Sequence, residues 1–261
     1  MPDRTQLVNL YVKAQSGDSE AASQLPDALA GDVAFKPARG FASQGRDAVI
    51  ASLTNPLVST NFRNAAWGDT VASGDALKLR GTLPVAAVSG GYELTFRFDS
   101  AGLISAIEQQ SLPAAPLPPV PVKLTQEIKD AVNQSWRDAP MIVIAVEADG
   151  QARLSYRGSI QTYGDERLAF WVRNTGGGTV SALETNPKLT VHYRNPQTRL
   201  SLTFYGPGYV TKDDAERRHV YDTMCEGEQM SDPDAKGIAV VMNIERVEGI
   251  GPAGRLLMAK A

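Results

Sequence analysis

A predicted β-hairpin near the middle of the chain carries four arginines. Alternate side chains of a strand point to the same face, so Arg153, Ser155 and Arg157 share one face of the first strand. Trp171 and Arg173 share one face of the second strand. Guanidinium groups bind phosphate through charge-assisted hydrogen bonds, and an aromatic side chain can pack on a planar ring. The pattern predicts a ligand with a phosphate at one end and a flat heterocycle at the other.

Three consecutive glycines, Gly176–Gly178, come directly before a predicted helix that Thr179 caps. Glycine lets backbone N–H groups approach an anion closely, and the N-terminus of a helix favours negative charge. The segment lacks the spacing of a dinucleotide-binding fingerprint, and it lacks the Gly-Lys-Ser/Thr of a P-loop. We therefore expect the start of this helix to contact the same phosphate as the arginines.

The elements around these residues predict a small antiparallel barrel with short helices. The predicted hairpin pairs Ala152–Gln161 with Arg167–Asn174, and Met141–Val146 is apolar on both faces, as in a central strand. The other predicted elements are a helix over Thr125–Asp138, a helix over Thr179–Thr185, strands over Leu189–Tyr193, Leu200–Tyr205 and Gly208–Val210, a helix over Asp213–Met224 and a final strand over Gly237–Val247.

The first part of the chain has a different pattern and predicts an α+β domain. Five prolines within residues 113–122 predict an extended spacer, which separates a domain over 1–112 from a domain over 123–261. The first domain is predicted to contain a helix through Leu7–Ala14, a helix over Ser19–Leu29, a strand over Val33–Phe35, a helix over Arg46–Leu53, a bent strand region over Trp67–Leu83, and an antiparallel hairpin of Tyr92–Asp99 with Leu103–Gln110.

Composition limits the classes of function. The chain has 261 residues and a net charge of -3, so no overall field recruits nucleic acid or a membrane. Cys225 is the single cysteine, which excludes an internal disulfide and a cysteine-rich zinc site. The N-terminus lacks a secretory pattern and no stretch of 18 apolar residues occurs. These features predict a soluble cytoplasmic protein with no metal site.

Four blocks, taken in order, carry a resemblance to a known family. They are R-x-S-x-R-G at Arg153–Gly158, FWVRN at Phe170–Asn174, NP at Asn186–Pro187 and LTFYGPGYV at Leu202–Val210. Their order and spacing resemble the pyridoxamine 5'-phosphate oxidase-like family of FMN-binding split β-barrels, over about residues 123–250. The resemblance implies FMN, a homodimer with the cofactor at the subunit interface, and a small organic substrate.

The resemblance also implies which residues hold FMN. The first strand contributes Arg153, Ser155 and Arg157, and the second contributes Trp171, Val172 and Arg173. Thr175 and Thr179 at the helix start contact the phosphate, and a strand beginning with Arg199 and Ser201 reaches across from the partner subunit. The family's basic Ser-x-Lys element is replaced here by GGGTVSAL, which argues against pyridoxamine phosphate as the substrate.

The first domain resembles the SnoaL-like, ketosteroid-isomerase-like cone. The cues are the Tyr11 helix, the Gly17–Asp18 turn, GRDAVI at Gly45–Ile50 and the closing meander. Asp32 and Asp69 are the candidates for acid–base work by position, but both flank turns, where surface carboxylates are common. A ligand pocket or a dimerisation surface is the expected role of this domain.

Two functions are left open by the sequence. The first is an FMN-dependent oxidoreductase acting on a small organic molecule, with no catalytic residue assigned. The second is a non-catalytic protein that binds or senses flavin, deazaflavin or haem, with the first domain as a ligand or interaction module. His192 and His219 are the two histidines that a haem could use.

Overall fold

The computed structural model describes residues 3–139 and 141–260 and divides the chain into two compact units. The first unit ends at Pro116 and the second begins at Leu117. The predicted spacer over residues 113–122 therefore lies on both sides of this division. The outer ends of the two predicted domains, residues 1–2 and 261, lie outside the described residues.

The first unit combines helices with a curled, mostly antiparallel sheet. Its helices are α1 (Arg4–Gln15), α2 (Ser19–Ala28), α3 (Arg46–Ser52) and α4 (Pro56–Asn64). Its strands are β1 (Leu29–Lys36), β2 (Ser43–Gln44), β3 (Ala66–Trp67), β4 (Val71–Ser73), β5 (Ala76–Thr82), β6 (Gly91–Phe98) and β7 (Ile104–Leu112). The sheet order is β2-β1-β7-β6-β5-β3, with β4 paired to β5. The β1–β7 pair is parallel, which differs from the antiparallel sheet expected for this domain.

Helix α4 was absent from the sequence-based description of this unit. Its sequence does carry a start motif, because the Asn55 side chain accepts hydrogen bonds from the N–H groups of Leu57 and Val58. Pro56 occupies the first turn, where a missing N–H costs nothing. The helix buries Phe62 against Tyr11 and Tyr92, so aromatic packing reinforces the local cap.

The second unit is a curled antiparallel sheet with short helices. Its helices are α5 (Gln126–Asn133), α6 (Ser135–Asp138), α7 (Gly178–Thr185), α8 (Asp214–Thr223) and α9 (Glu226–Met230). Its strands are β8 (Met141–Val146), β9 (Ala152–Arg157), β10 (Gln161–Thr162), β11 (Arg167–Val172), β12 (Lys188–Asn195), β13 (Leu200–Val210), β14 (Ile238–Asn243), β15 (Arg246–Gly251) and β16 (Gly254–Ala259).

Strand β13 joins the two halves of this sheet. The strand order is β10-β11-β14-β13-β12-β8-β9, and β15 also pairs with β13 while β16 pairs with β15. The first part of β13 pairs with β12 and β15, and its last three residues, Gly208–Val210, pair with β14. The sheet therefore curls into a half-barrel whose interior holds the main apolar cluster of this unit.

The predicted pairing of Ala152–Gln161 with Arg167–Asn174 is wrong for the arginine-bearing strand. β9 instead pairs with β8, with Arg157 opposite Met141 and Arg153 opposite Ala145. β11 pairs along its length with β14, and only the two-residue β10 joins it from the predicted partner segment. The turn between β8 and β9 explains this choice, since Gly150 adopts a positive φ of 88° and closes a tight loop.

Several other boundaries differ from the sequence-based prediction. The helix predicted over Thr125–Asp138 breaks at Gln134 into α5 and α6. The two strands predicted within Leu200–Val210 form one continuous strand. The predicted final strand, Gly237–Val247, ends at Asn243, and β15 and β16 then form a further hairpin. The central strand Met141–Val146 is confirmed.

Candidate anion-binding site

Strand β9 presents its polar side chains toward the interior face of the half-barrel. Cross-strand neighbours lie on the same face of a sheet, so Arg153, Ser155 and Arg157 share the face of the buried β8 residues Ala145, Val143 and Met141. The intervening β9 residues Leu154 and Tyr156 point to the other face and are 62% and 74% exposed. The predicted alternation of the three polar residues is therefore present, but on the edge of the core rather than on an open surface.

Arg157 connects this strand to the first turn of α7. Its Nη2 donates to the Thr179 hydroxyl at 3.1 Å, and Thr179 is itself buried. Its Nε is buried and has no hydrogen-bond partner among the described residues. Burial lowers the pKa of the Arg157 guanidinium, the Glu228 carboxylate opposes this effect, and the charge of Arg173 adds to it.

Arg153 lies across the start of α7. Its Nε donates to Glu147 Oε1 at 2.5 Å, and both side chains are partly exposed. Its guanidinium occupies the space beside Gly178, where a Cβ would overlap the guanidinium atoms. A side chain at position 178 would therefore displace Arg153, which accounts for the third glycine of the run.

Ser155 lies between the two arginines on β9. Its hydroxyl oxygen is buried, and no hydrogen-bond partner for it exists within residues 3–139 and 141–260. An unsatisfied buried polar group costs about 1–3 kcal/mol, so a group that bonds to both atoms would be stabilised on this strand. The Nε–H of Arg157 is a donor and the Ser155 hydroxyl can also donate, so a ligand with several acceptor oxygens can bond to both.

The N-terminus of α7 adds backbone donors to the same place. The helix begins at Gly178, and its N-cap residue Gly177 makes no side-chain capping bond. The first N–H groups of a helix have no intrahelical partner and carry the positive end of its dipole. The prediction that Thr179 caps the helix is wrong, because its hydroxyl is in the first turn and accepts from Arg157 instead.

Arg173 and Thr175 lie on the loop between β11 and α7, and both are exposed. Strand β11 ends at Val172, so Arg173 lies outside the strand in which it was predicted. After burial, the positive charge of Arg173 also lowers the pKa of Arg157. No side-chain hydrogen bond of Thr175 occurs in the described part of the chain.

Trp171 does not present its ring to this site, contrary to the prediction. The indole is 1% exposed and packs with Val220 and Met224. Its Nε1 donates to Asp232 Oδ2 at 2.8 Å. Val172 is also buried but lies in the other apolar cluster, inside the half-barrel. The pairing of β11 with β14 and the packing of α8 cover the face of Trp171, so its side chain cannot lie against a bound ring.

Arg199 and Ser201 belong to the β12–β13 hairpin. Arg199 is exposed in the turn, with a positive φ of 58°, and Ser201 follows on β13. Among the residues that the structure describes, neither side chain makes a hydrogen bond or ion pair with β9 or α7. Within one chain these two predicted ligands are therefore not brought to the arginine site.

Two carboxylates near the site were missed by the sequence analysis. Glu147 follows β8, and the tight turn at Gly150 brings it against Arg153. The Asp149–Gly150 pair is a recognisable turn motif that could have placed it. Glu228 lies against Gly158, and no local pattern in the sequence links those two positions.

The candidate acid–base residues of the first unit are both exposed. Asp32 and Asp69 lie on the surface, so neither is held inside the curled sheet. The interior instead holds Tyr11, whose hydroxyl accepts from Gln109 Nε2 at 2.5 Å. Burial raises the pKa of Tyr11 far above its usual value, and the bond to Gln109 opposes this only in part. This unit also has an open surface depression of about 180 Å³ lined by residues that include Lys36, Arg97 and Glu108.

The histidines lie on separate elements. His192 Nδ1 is 3.0 Å from Thr203 Oγ1 on the neighbouring strand, and the His219 ring lies 5.3 Å from the ring of Tyr163. In the described ranges no three His, Cys, Asp or Glu residues form a group that could hold a metal ion. No helix in those ranges is long and apolar enough to cross a membrane.

No protein-family model matches the chain, and no curated protein matches its sequence. HupZ from Group A Streptococcus is similar in structure, with 20% identity and a TM-score of 0.42 over 51% of this chain and 98% of that chain. A pyridoxamine 5'-phosphate oxidase-related, FMN-binding protein from Nostoc punctiforme PCC 73102 has 13% identity and a TM-score of 0.43, over 53% of this chain and 93% of its own. General Stress Protein 26 from Bacillus anthracis str. Sterne has 9% identity and a TM-score of 0.39, over 52% of this chain and 100% of its own.

Of these three structures, the one from Nostoc punctiforme is described as a pyridoxamine 5'-phosphate oxidase-related, FMN-binding protein, and all three align with about half of this chain. The TM-scores of these three are all below 0.5, so the ligand of this chain must be inferred from its own residues.

Proposed function

We propose that the second unit binds FMN and holds its phosphate between β9 and the N-terminus of α7. The observation that carries this proposal is the pair of buried donors without a partner in the described chain, Ser155 Oγ and Arg157 Nε. A phosphate presents several acceptor oxygens at once and can satisfy both donors. It also meets the positive charges of Arg153 and Arg157 and the open N–H groups of the helix start.

The charges of the site favour an anion over a neutral ligand. Burial lowers the pKa of Arg157, and the positive charge of Arg173 lowers it further. A bound dianion removes this repulsion and replaces lost water contacts with charge-assisted hydrogen bonds. One nitrogen of Arg153, Nε, donates a hydrogen bond to Glu147. The other two nitrogens of the guanidinium can donate to the ligand.

The flat ring of FMN needs a surface other than the Trp171 side chain. We propose a homodimer that encloses the cofactor at the subunit interface, with Arg199 and Ser201 of the partner subunit completing the site. Leu154 and Tyr156, which are large exposed apolar residues on the outer face of β9, support an interface there. Exposed apolar residues of this kind are typical of association sites.

The leading function is a flavin-dependent oxidoreductase acting on a small organic molecule. Bound FMN supplies the redox chemistry, and the residues of this chain grip and orient the cofactor. The alternative is a protein that binds or senses flavin, deazaflavin or haem without catalysis. This alternative is supported by the lack of a histidine or a buried acid among the side chains that form the anion site. Anaerobic reduction of the bound flavin by NADH or NADPH separates the two functions.

For the first unit we propose a SnoaL-like domain that serves as a ligand-binding or dimerisation module. Its helices cover one face of a curled sheet, and aromatic side chains fill its interior. The exposed positions of Asp32 and Asp69 do not favour acid–base catalysis there.

Equilibrium titration of the purified full chain with FMN and with riboflavin tests the proposed ligand. Riboflavin has the same ring and ribityl chain but no phosphate, so it is the matched control. We expect FMN to bind at least about a hundredfold more tightly, because two or more charge-assisted hydrogen bonds are lost with the phosphate. Equal affinities for the two flavins would refute a phosphate site, and a Soret band in the purified protein would favour haem.

A further inference from the structure

The carboxylate of Glu228 lies beside Gly158, the residue that follows the last arginine of β9. The short helix α9 places Glu228 so that its Oε1 is 2.7 Å from the position of a Cβ on Gly158. Gly158 directly follows Arg157 at the end of β9. The Cys225 thiol lies 3.6 Å from the Gly158 carbonyl oxygen and anchors the start of α9 to this point. Glycine at position 158 therefore lets the Glu228 carboxylate approach the strand that carries the arginines.

The Glu228 carboxylate has unused hydrogen-bonding capacity. Its oxygens form no hydrogen bond and no ion pair with any other residue in 3–139 or 141–260, although the side chain is half-buried. Its charge nonetheless acts on Arg157, where it favours the charged guanidinium. An ionised carboxylate only accepts hydrogen bonds, so its natural partner in a ligand is a hydroxyl or an N–H group.

A phosphate alone is a poor match for this arrangement. Phosphate oxygens are negative acceptors, so they are repelled by Glu228 while they are attracted by Arg157 and Arg153. If the ligand also carries a hydroxyl or N–H group beside its phosphate, that group can donate a hydrogen bond to Glu228, and the contact becomes favourable. Dinucleotide-binding folds use this principle, since an acidic residue there binds the ribose hydroxyl beside a phosphate that lies on a helix N-terminus.

We propose that Glu228 is a specificity-determining residue that accepts a hydrogen bond from a hydroxyl close to the bound phosphate. The site then selects phosphate monoesters of polyhydroxylated chains, such as the ribityl phosphate of FMN, over inorganic phosphate. This inference rests on the proposed function and adds the part of the ligand that the carboxylate recognises.

Calorimetric titration of the full chain with FMN and with inorganic phosphate tests the role of Glu228. The variants are Glu228→Ala, which removes both charge and acceptor, and Glu228→Gln, which removes the charge but keeps an acceptor oxygen. Glu226→Gln is the matched control, because Glu226 is an exposed carboxylate of the same short helix. The Glu228 side chain makes no bond to the described fold, so both substitutions should leave folding intact.

The ratio of the affinity for FMN to the affinity for inorganic phosphate, compared between each variant and the wild type, decides the outcome. We expect inorganic phosphate to bind about two- to fivefold more tightly to both Glu228 variants, because a like charge is removed. We expect FMN to bind about tenfold more weakly to Glu228→Ala, with Glu228→Gln in between, and Glu226→Gln to match the wild type. An unchanged ratio, or FMN and phosphate both tighter in Glu228→Ala, would overturn the inference.

Failure of the proposed function gives a different pattern. If the wild-type protein binds neither FMN nor phosphate, the phosphate site itself is refuted, and the role of Glu228 with it. If the wild type binds FMN and Arg157→Ala loses it while the Glu228 variants behave like wild type, the phosphate site stands and only the selection by Glu228 is refuted.

Discussion

The guanidinium of Arg157 donates to the hydroxyl of Thr179 at 3.1 Å and thereby ties the edge strand β9 to the first turn of α7. This bond fixes the direction of the guanidinium and leaves its buried Nε without a partner in the described structure. The hydroxyl of Ser155 on β9 is also buried and lacks a hydrogen-bond partner in the described chain. Positive charge and hydrogen-bond donors are thus gathered on β9 and beside α7, and the following predictions test that arrangement.

Ser155→Ala should affect ligand binding and stability in opposite directions. The Ser155 hydroxyl has no partner within the described chain, so its removal should leave the free energy of unfolding unchanged or raise it by up to about 1 kcal/mol. FMN affinity should fall about fivefold or more, because a donor to the phosphate is lost. Chemical denaturation and FMN titration of the same samples measure both quantities.

Ser159→Ala is the control for that pair of measurements. The Ser159 hydroxyl is bonded to both the N–H and the carbonyl of Trp171, so its loss should lower the free energy of unfolding by about 1–3 kcal/mol. A destabilised Ser155→Ala protein would mean that the Ser155 hydroxyl has a structural partner and is not waiting for a ligand.

Gly178→Ala should weaken FMN binding by displacing Arg153. The added Cβ overlaps the guanidinium of Arg153, which has no room to remain across the start of α7. We expect at least about a tenfold loss of FMN affinity, measured by fluorescence titration. Gly176→Ala in the same glycine run is the control, because its Cβ meets only Asn174 Oδ1 at 3.9 Å. Equal losses of FMN affinity in Gly178→Ala and Gly176→Ala would mean that the conformation of the whole loop, rather than the position of Arg153, determines binding.

Trp171→Phe should destabilise the second unit without changing its intrinsic affinity for FMN. The substitution removes the hydrogen bond from Nε1 to Asp232 and part of a fully buried ring. We expect the free energy of unfolding to fall by about 1–4 kcal/mol, as measured by denaturant titration. FMN affinity, measured where the variant is fully folded, should stay within about twofold of wild type. A large loss of affinity there would restore the role in ring binding predicted from the sequence.

Tyr156→Arg should convert the proposed dimer to a monomer. Tyr156 is 74% exposed on the outer face of β9, and an arginine there would place a charge in an apolar interface. Light scattering coupled to size exclusion measures the mass directly. Met230→Arg is the control, since Met230 is equally exposed at 74% but lies on α9. A wild-type monomer, or a Tyr156→Arg protein that stays dimeric, would contradict an interface on this face.

The sequence was most informative where local patterns determine structure. The β8 strand followed from an apolar run, and the shared face of Arg153, Ser155 and Arg157 followed from the two-residue period of a strand. The neighbours of those strands depend on contacts between distant segments. The pairing of β11 with β14 therefore was not predicted, and neither was the burial of Trp171.

At the anion-binding site, too, the sequence predicted local features but not contacts between distant segments. The glycine run correctly indicated a helix start close to the arginines, because glycine and backbone donors act locally. The contact between Glu228 and Gly158 joins segments far apart in the chain, and only the packing of α9 reveals it. Sequence reasoning alone could name the arginines but not the carboxylates that surround them.

The central claim is tested most directly by the affinity of the Arg157→Ala protein for FMN. Arg218→Ala is the matched control, because Arg218 is an exposed arginine on α8 that is bonded to Asp222. We expect FMN to bind Arg157→Ala at least about tenfold more weakly and Arg218→Ala with unchanged affinity. Wild-type affinity in a folded Arg157→Ala protein would contradict a phosphate site between β9 and α7.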